Sequence, residues 1–228
     1  MIVLAIETAT EACSAALYQD GAILERYQVA PREHNRLILP MLESLLAEAG
    51  IALGQVDAVA FGRGPGSFTG VRIAAGVAQG IAFALDLPVA PVSTLAALAD
   101  EAMAEKGCEY AFPCIDARMA EVYFAVYRRD VEGYPELRGQ ERVLPPGQAD
   151  FSPADGAGIG TGSGWATYQA CLSGLAGRRL ASVSSGRFPR AAAVARLGAR
   201  IHAVGGGVPA EQALPVYLRD DVARKSKP

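Results

Sequence analysis

The chain has 228 residues, 51% of them hydrophobic and 20% charged, with a formal net charge of −3. That length holds one large domain or two small ones with real cores, and the balance excludes a disordered chain. The slight acidity argues against a basic nucleic-acid field, so any RNA is expected to be held by a partner.

In chain order, 2–8 is a short apolar run that reads as a buried strand. It lacks a basic flank and stops at Glu7, so it is not expected to be a secretory signal. "ACSAALYQ" and "AILERYQV" flank Asp20-Gly21, a dipeptide suited to a two-residue hairpin, and three strands form a meander. Residues 37–49 show helical apolar spacing and end at Gly50, a good C-cap. Pro40 suits the first turn of that helix or else kinks it. "VDAVAFG" is a strand, a Gly-rich loop follows, and 69–85 is the next helix. Its apolar run 73–85 is too short for a bilayer and contains Gln79, so no membrane is expected. "LPVAPV" is a strand, and a helix over 93–106 is N-capped by Ser93 or Thr94.

A second half repeats this plan from a boundary near Gly107, giving an N-terminal lobe 1–107 and a C-terminal lobe 108–228. "YAFPCIDAR" and "AEVYFAVYR" are two strands and "ELRGQERVL" a third. The strand-like "GAGIGTG" and helices over 165–175 and 190–203 complete it. A meander followed by alternating strands and helices gives an α/β fold of mixed sheets flanked by helices. The four cysteines have irregular spacing with no CxxC pair, as expected of reduced thiols in a cytoplasmic protein.

The loop in "FGRGPGSFTGVRIAAG" runs straight into a helix, an arrangement that can present backbone amides to a phosphate. A P-loop needs G-x-x-x-x-G-K-[ST], however, and here Gly66 is followed by "SFTGVR" with no Lys. Neither a G-x-S-x-G elbow around Ser67 nor a His pair at metal spacing is present, since the two histidines are His34 and His202. No metal site and no catalytic residue is expected, and His34 is expected to cap a helix or lie exposed.

"IETAT", "CSAAL", "GPGSFTGVRIA", "IDARMAEVYFAVY" and "PVYLRDDVA" come in the order found in the bacterial TsaB (YeaZ) family, which the chain resembles over nearly its whole length. The resemblance implies the two duplicated lobes of the actin/sugar-kinase/Hsp70 superfamily, of RNase H-like type. It also implies an accessory role beside the paralogue TsaD and the ATPase TsaE. Together these transfer a threonylcarbamoyl group to the adenosine beside the anticodon in tRNAs reading codons that begin with A. In that superfamily an Asp-x-Gly-Thr turn orders a Mg²⁺ water at the first phosphate, whereas this chain has Glu7-Thr8-Ala9-Thr10. Ala9 carries a Cβ where closeness is needed, so independent ATP binding is not expected. ATP or ADP is expected, if anywhere, at the junction with the partner, beside Gly64, Gly66, Ser67, Thr69 and Gly70.

Of the signature residues Asp116, Arg118, Glu121 and Tyr123, an Arg118–Glu121 ion pair across the hairpin turn is the expected structural use. The helices flanking the loop carry more apolar surface than one core needs. On the first, Leu37, Met41 and their neighbours cover about 200°, against a usual stripe of roughly 100°. On the second, Ile73, Val77, Ile81 and Leu85 are expected to face the sheet. Arg72, Ala75, Gly76, Gln79, Ala82 and Phe83 are expected to face a partner: TsaD, or a second copy when TsaD is absent. The same helix buried within its own lobe stays open as an alternative. Two rival classes also stay open: an ATP-dependent small-molecule kinase, and a direct tRNA binder, although the one locally basic stretch, the tail "RDDVARKSKP", has four Lys/Arg offset by two Asp and reads as a solvated end.

Overall fold

The computed structural model describes residues 1–219. The tail reading above lies outside them except for Arg219. Strands β1 (Ile2–Glu7), β2 (Ala12–Gln19) and β3 (Ala22–Val29) form the antiparallel meander, and β4 (Ala58–Gly62) and β5 (Val89–Val92) extend it in parallel. The sheet order is β3-β2-β1-β4-β5. A second sheet runs β10-β7-β6-β11-β12: β6 (Tyr110–Arg118), β7 (Glu121–Phe124), β10 (Arg142–Leu144), β11 (Gly158–Gly162) and β12 (Leu180–Ser185). Of two short strands, β8 (Tyr127–Arg129) pairs with β6 and β9 (Pro135–Leu137) pairs with β8.

Five helices cover the sheets: α1 (His34–Ala49), α2 (Phe68–Leu85), α3 (Thr94–Lys106), α4 (Ser163–Ala176) and α5 (Ala191–Ala203). Period-2 alternation decides which face meets which helix. Leu4, Ile6, Leu17, Val59 and Phe61 point to α1 and α2, while Val3, Ala5, Ala16, Ala58 and Ala60 point to α5. On the second sheet, Ala111 and Ile115 meet α3, and Tyr110, Phe112 and Cys114 meet Trp165 and Leu172 of α4. The helices are thus exchanged. α3 of the first half covers the second sheet and α5 of the second half covers the first. A Cβ on Gly198 of α5 would lie 2.4 Å from the Ala60 Cβ, which shows how closely that helix lies on β4.

Four local expectations differ. α1 begins at His34, so Pro40 falls in the second turn instead of the first. "AEVYFAVYR" is two strands, because β7 pairs with 114–118 of β6 and β8 with 110–111. Pro113 lies in the gap and has no N–H to continue a ladder. "ELRGQERVL" is split between β9 and β10 around Gly139, whose φ of +93° turns the chain. β12 has no apolar run to announce it: it is a Ser-rich edge strand beside β11.

The cleft and the outer helix face as candidate functional sites

The Gly-rich loop joins β4 to α2, and its glycines make room for the segment 7–9 at the end of β1. A Cβ on Gly62 would lie 2.0 Å from Glu7 Oε2, one on Gly66 2.4 Å from the Ala9 carbonyl oxygen, and one on Gly70 2.0 Å from the Thr8 carbonyl oxygen. Gly64 has φ +98° and approaches the Val216 carbonyl, while its own carbonyl accepts from the Thr94 amide at 3.0 Å. The Ser67 amide donates to Ala9 at 2.7 Å, and the Ser67 hydroxyl caps α2 by accepting from the Gly70 amide at 3.1 Å. Thr8 Oγ1 donates to the Gly70 carbonyl at 2.7 Å. Much of the loop's polar capacity is therefore spent on the chain itself, and Thr69 lies exposed at the start of the helix.

Glu7 is fully buried. Its Oε1 accepts from the Ala9 amide at 2.6 Å and its Oε2 from the Thr94 hydroxyl at 3.3 Å. Desolvation outweighs these bonds and raises its pKa from the ordinary carboxyl range to about 7. The group that would order a metal-bound water in a nucleotide site is thus used internally.

The second-lobe signature lies at the β6–β7 turn, where Arg118, Met119 and Ala120 all have positive φ (62°, 56° and 59°). The expected Arg118–Glu121 pair does not form. Arg118 instead reaches the first lobe and pairs with Glu11 at 2.9 Å and with Asp116 at 3.5 Å. Glu121 pairs with Arg219 at 2.5 Å. The reason is the left-handed turn, which sends Arg118 across the interlobe cleft, together with the returning chain end, which brings a second guanidinium to Glu121. Tyr123 is half-buried behind them, and burial raises its pKa.

Asp116, Arg118, Tyr123 and Arg219, with Glu11, Thr10, Ser67, Phe68 and Tyr217, surround a cavity of about 610 Å³ between the lobes, and Glu121 lies outside it. His34 also lines it, and the expectation of an exposed or capping His34 is corrected. It is buried, with Nε2 3.2 Å from the Ala12 carbonyl, because the helix starts there against β2. Among the described residues no three His, Cys, Asp or Glu side chains cluster as metal ligands.

The faces of α2 are rotated from the expected phase. Ala75 and Ala82 are buried with Val71, Ala74 and Ala78 in the core beneath the helix. Small residues are needed there because α2 lies close over β4 and β1, leaving no room for Ile73, Val77 and Ile81, which sit half-buried at its flanks. Gln79 is also turned inward in part, and its Nε2 donates to the Ala213 carbonyl at 3.2 Å. Arg72, Gly76, Gly80 and Phe83 remain open, with Phe83 82% exposed. Arg72 stacks over Phe68 at 3.2 Å from the ring centroid. On α1, Leu37 and Met41 are half-buried and Leu39 is 51% exposed. Sequence reasoning placed Leu39 in the wide apolar arc of α1 but missed Gly80 and Phe68 on this surface. Their signal was the same excess of apolar and small residues, read in the wrong phase. By length and apolarity α2 could cross a membrane, yet it is capped by Ser67, packs on the first sheet and hydrogen-bonds to Ala213 of the returning chain.

A family model described as TsaD, tRNA N6-adenosine threonylcarbamoyltransferase, matches residues 25–153. The Escherichia coli protein called tRNA threonylcarbamoyladenosine biosynthesis protein TsaB is 41% identical, covering all of this chain and 99% of its own. Its Haemophilus influenzae namesake is 40% identical over all of this chain and 98% of its own. A solved Pseudomonas aeruginosa structure, described as an uncharacterized protein with similarity to peptidase YeaZ, superposes with a TM-score of 0.89 at 48% identity. It covers 96% of this chain and 99% of its own length. The chain belongs to the TsaB (YeaZ) family, and its fold is the two-lobed α/β architecture of the actin/sugar-kinase/Hsp70 type.

Proposed function

We propose that this chain acts in tRNA threonylcarbamoyladenosine biosynthesis as a non-catalytic subunit that docks and supports TsaD, with TsaE as the further ATPase partner. The carrying observation is the open face of α2. Gly76 and Gly80 have nothing within 4 Å of where a Cβ would stand, and Phe83 stands free beside them. Such a face lets another helix backbone approach closely and gather many dispersion contacts over little area. Arg72 and Phe83 give it anchors of the kind that dominate interfaces. Leu39, Met41 and the half-buried Leu37 on α1 widen the surface. The same face serves a second copy of the chain when TsaD is absent.

The absence of chemistry in this proposal rests on Glu7, whose carboxyl is buried where a metal-bound water would need it free. On this reading ATP or ADP binds, if at all, only at the junction with the partner, beside Gly64, Gly66, Ser67, Thr69 and Gly70. tRNA is met indirectly, and the work is done in the cytoplasm.

The test uses Gly76→Glu and Phe83→Glu, with Ala82→Glu as the buried control. The first two should melt within about 1 kcal/mol of wild type, since both sites are open. They should lose TsaD capture, because an interfacial carboxylate without a counter-charge costs several kcal/mol. Ala82→Glu should fail to fold. Normal capture by both folded variants would refute docking through α2.

A further inference from the structure

We propose that Arg72, held between Phe68 and Tyr217, takes a carboxylate of TsaD, and that the returning segment 213–217 is a second wall of the docking surface. This rests on the docking role above and deepens it, naming the charge the partner brings and a part of the chain outside α1 and α2.

Three ties place the segment. The Ala213 carbonyl accepts from Gln79 Nε2 at 3.2 Å, the Val216 amide donates to the Arg63 carbonyl at 2.7 Å, and the Tyr217 ring lies 6.1 Å from that of Phe68. With 213 beside 79 and 217 beside 68, it runs antiparallel to α2. At about 100° per residue Phe68, Arg72 and Gln79 fall within about 40° of one another, and Gly76 follows about 40° further round. The segment therefore borders the open strip of Gly76 and Gly80. Leu214 is 61% exposed and Tyr217 45% exposed on this tied backbone. Apolar side chains already fixed in place lose little freedom when a partner covers them.

The charge of the partner follows from Arg72, the one charged side chain within α2. Its guanidinium carbon lies 3.2 Å from the Phe68 ring centroid and 5.1 Å from that of Tyr217. No acidic side chain among the described residues pairs with it, whereas Arg26, Arg36 and Arg63 each have a carboxylate. The neighbouring cleft offers none, because Glu11 and Asp116 are held by Arg118. Asp86 caps the far end of α2, about 21 Å further along the axis, and Glu211 lies towards that end as well. A guanidinium that a partner covers keeps its charge and needs an acceptor, since burying an unpaired charge is costly. A partner surface closing over Phe68 and Tyr217 without a carboxylate is thereby rejected. The planar fork, stacked on its rings, suits a carboxylate bidentately.

The experiment measures the affinity of the full chain for TsaD without nucleotide, with melting curves to show that each variant is folded. Arg72→Gln should bind about tenfold more weakly, which is about 1.4 kcal/mol, and Arg72→Glu at least about a hundredfold. Raising salt from about 50 to 300 mM should weaken wild type more than Arg72→Gln. Tyr217→Ala should weaken binding about tenfold, while Val131→Ser, at an exposed apolar residue elsewhere, should not change it. The loss from Arg72→Gln should persist in an Asp220→Asn, Asp221→Asn background, which removes the chain's own nearby carboxylates in sequence. If Arg72→Gln binds like wild type while Gly76→Glu does not, this proposal falls and docking through α2 stands. If both bind normally, docking itself falls. Arg72→Glu no weaker than Arg72→Gln, or a loss that vanishes in the Asn background, would overturn the partner carboxylate. A loss seen only with ATP present would assign Arg72 to a phosphate instead. A loss of self-association with TsaD binding intact would make the occupant a second copy and overturn the assignment to TsaD. Normal binding by Tyr217→Ala would remove the segment from the surface.

Discussion

Gly70→Ala separates a loop built for packing from one built for phosphate. The added methyl would stand 2.0 Å from the Thr8 carbonyl oxygen and 2.5 Å from Ser67 Oγ. The first contact is backbone in a fully buried segment, so it cannot rotate away, and the start of α2 must lift off the end of β1. Overpacking of this kind costs about 1–3 kcal/mol. Lifting also strains the Ser67 cap and the bond from Thr8 Oγ1 to the Gly70 carbonyl, each worth about 1 kcal/mol. Better helix propensity returns up to about 1 kcal/mol, leaving a net loss near 3 kcal/mol. In a chain of this size that corresponds to a melting temperature lower by about 6–12 °C. Gly76→Ala is the control, because it is the same substitution on the same helix with open space around it. It should gain about 2–4 °C from propensity alone. Scanning calorimetry on both proteins at one pH supplies the answer. If Gly70→Ala melts with wild type, the close-packing account of the loop is wrong, and its glycines serve an external ligand.

Glu7 predicts a pH dependence of stability. Its folded pKa is raised to about 7, above that of an unfolded carboxyl, so the folded state holds a proton that the unfolded state has released between pH 4.5 and 7. Its contribution is complete below pH 4.5 and is lost as pH rises through 7. Glu7→Gln should therefore gain on wild type in urea unfolding by only about 1 kcal/mol at pH 5 and by about 3 kcal/mol at pH 8. A difference independent of pH would show that Glu7 is ionised when folded. The isolated chain should also show no tight Mg-ATP binding and no stoichiometric zinc or iron, since no ligand cluster exists among its described residues. Calorimetry and elemental analysis check these, and a micromolar Mg-ATP complex of the monomer would remove the basis for reading Glu7 as internal.

How much of this was legible depends on how far each feature reaches along the chain. The short apolar runs of β1 and β4, the Asp20-Gly21 turn and the Gly50 cap are local, and the structure follows them. The exchange of α3 and α5 between sheets is not local. Nothing in the apolar spacing of either helix says which of two similar sheets it covers. The Glu121–Arg219 pair joins residues 98 positions apart, so a reading confined to one hairpin assigned Glu121 to Arg118. The phase of α2 failed for a different reason. Beyond its first turn the helix presents Ala74, Ala75, Ala78 and Ala82 inward and Gly76 and Gly80 outward, so both faces read as small, and the bulky Ile73, Val77 and Ile81 suggest an inward side that is wrong. Only the distance from α2 to β4 decides between them, and that distance is set by Gly62, Gly66 and Gly70 bringing the loop against residues 7–9. The glycines that hold the loop close are thus also what excludes bulky side chains beneath the helix. By forcing its larger residues to the flanks they leave Gly76, Gly80 and Phe83 open to a partner. On the proposed docking role, the loop and the open face of α2 are one feature, and a substitution that lifts the loop should weaken TsaD capture even though it touches no partner.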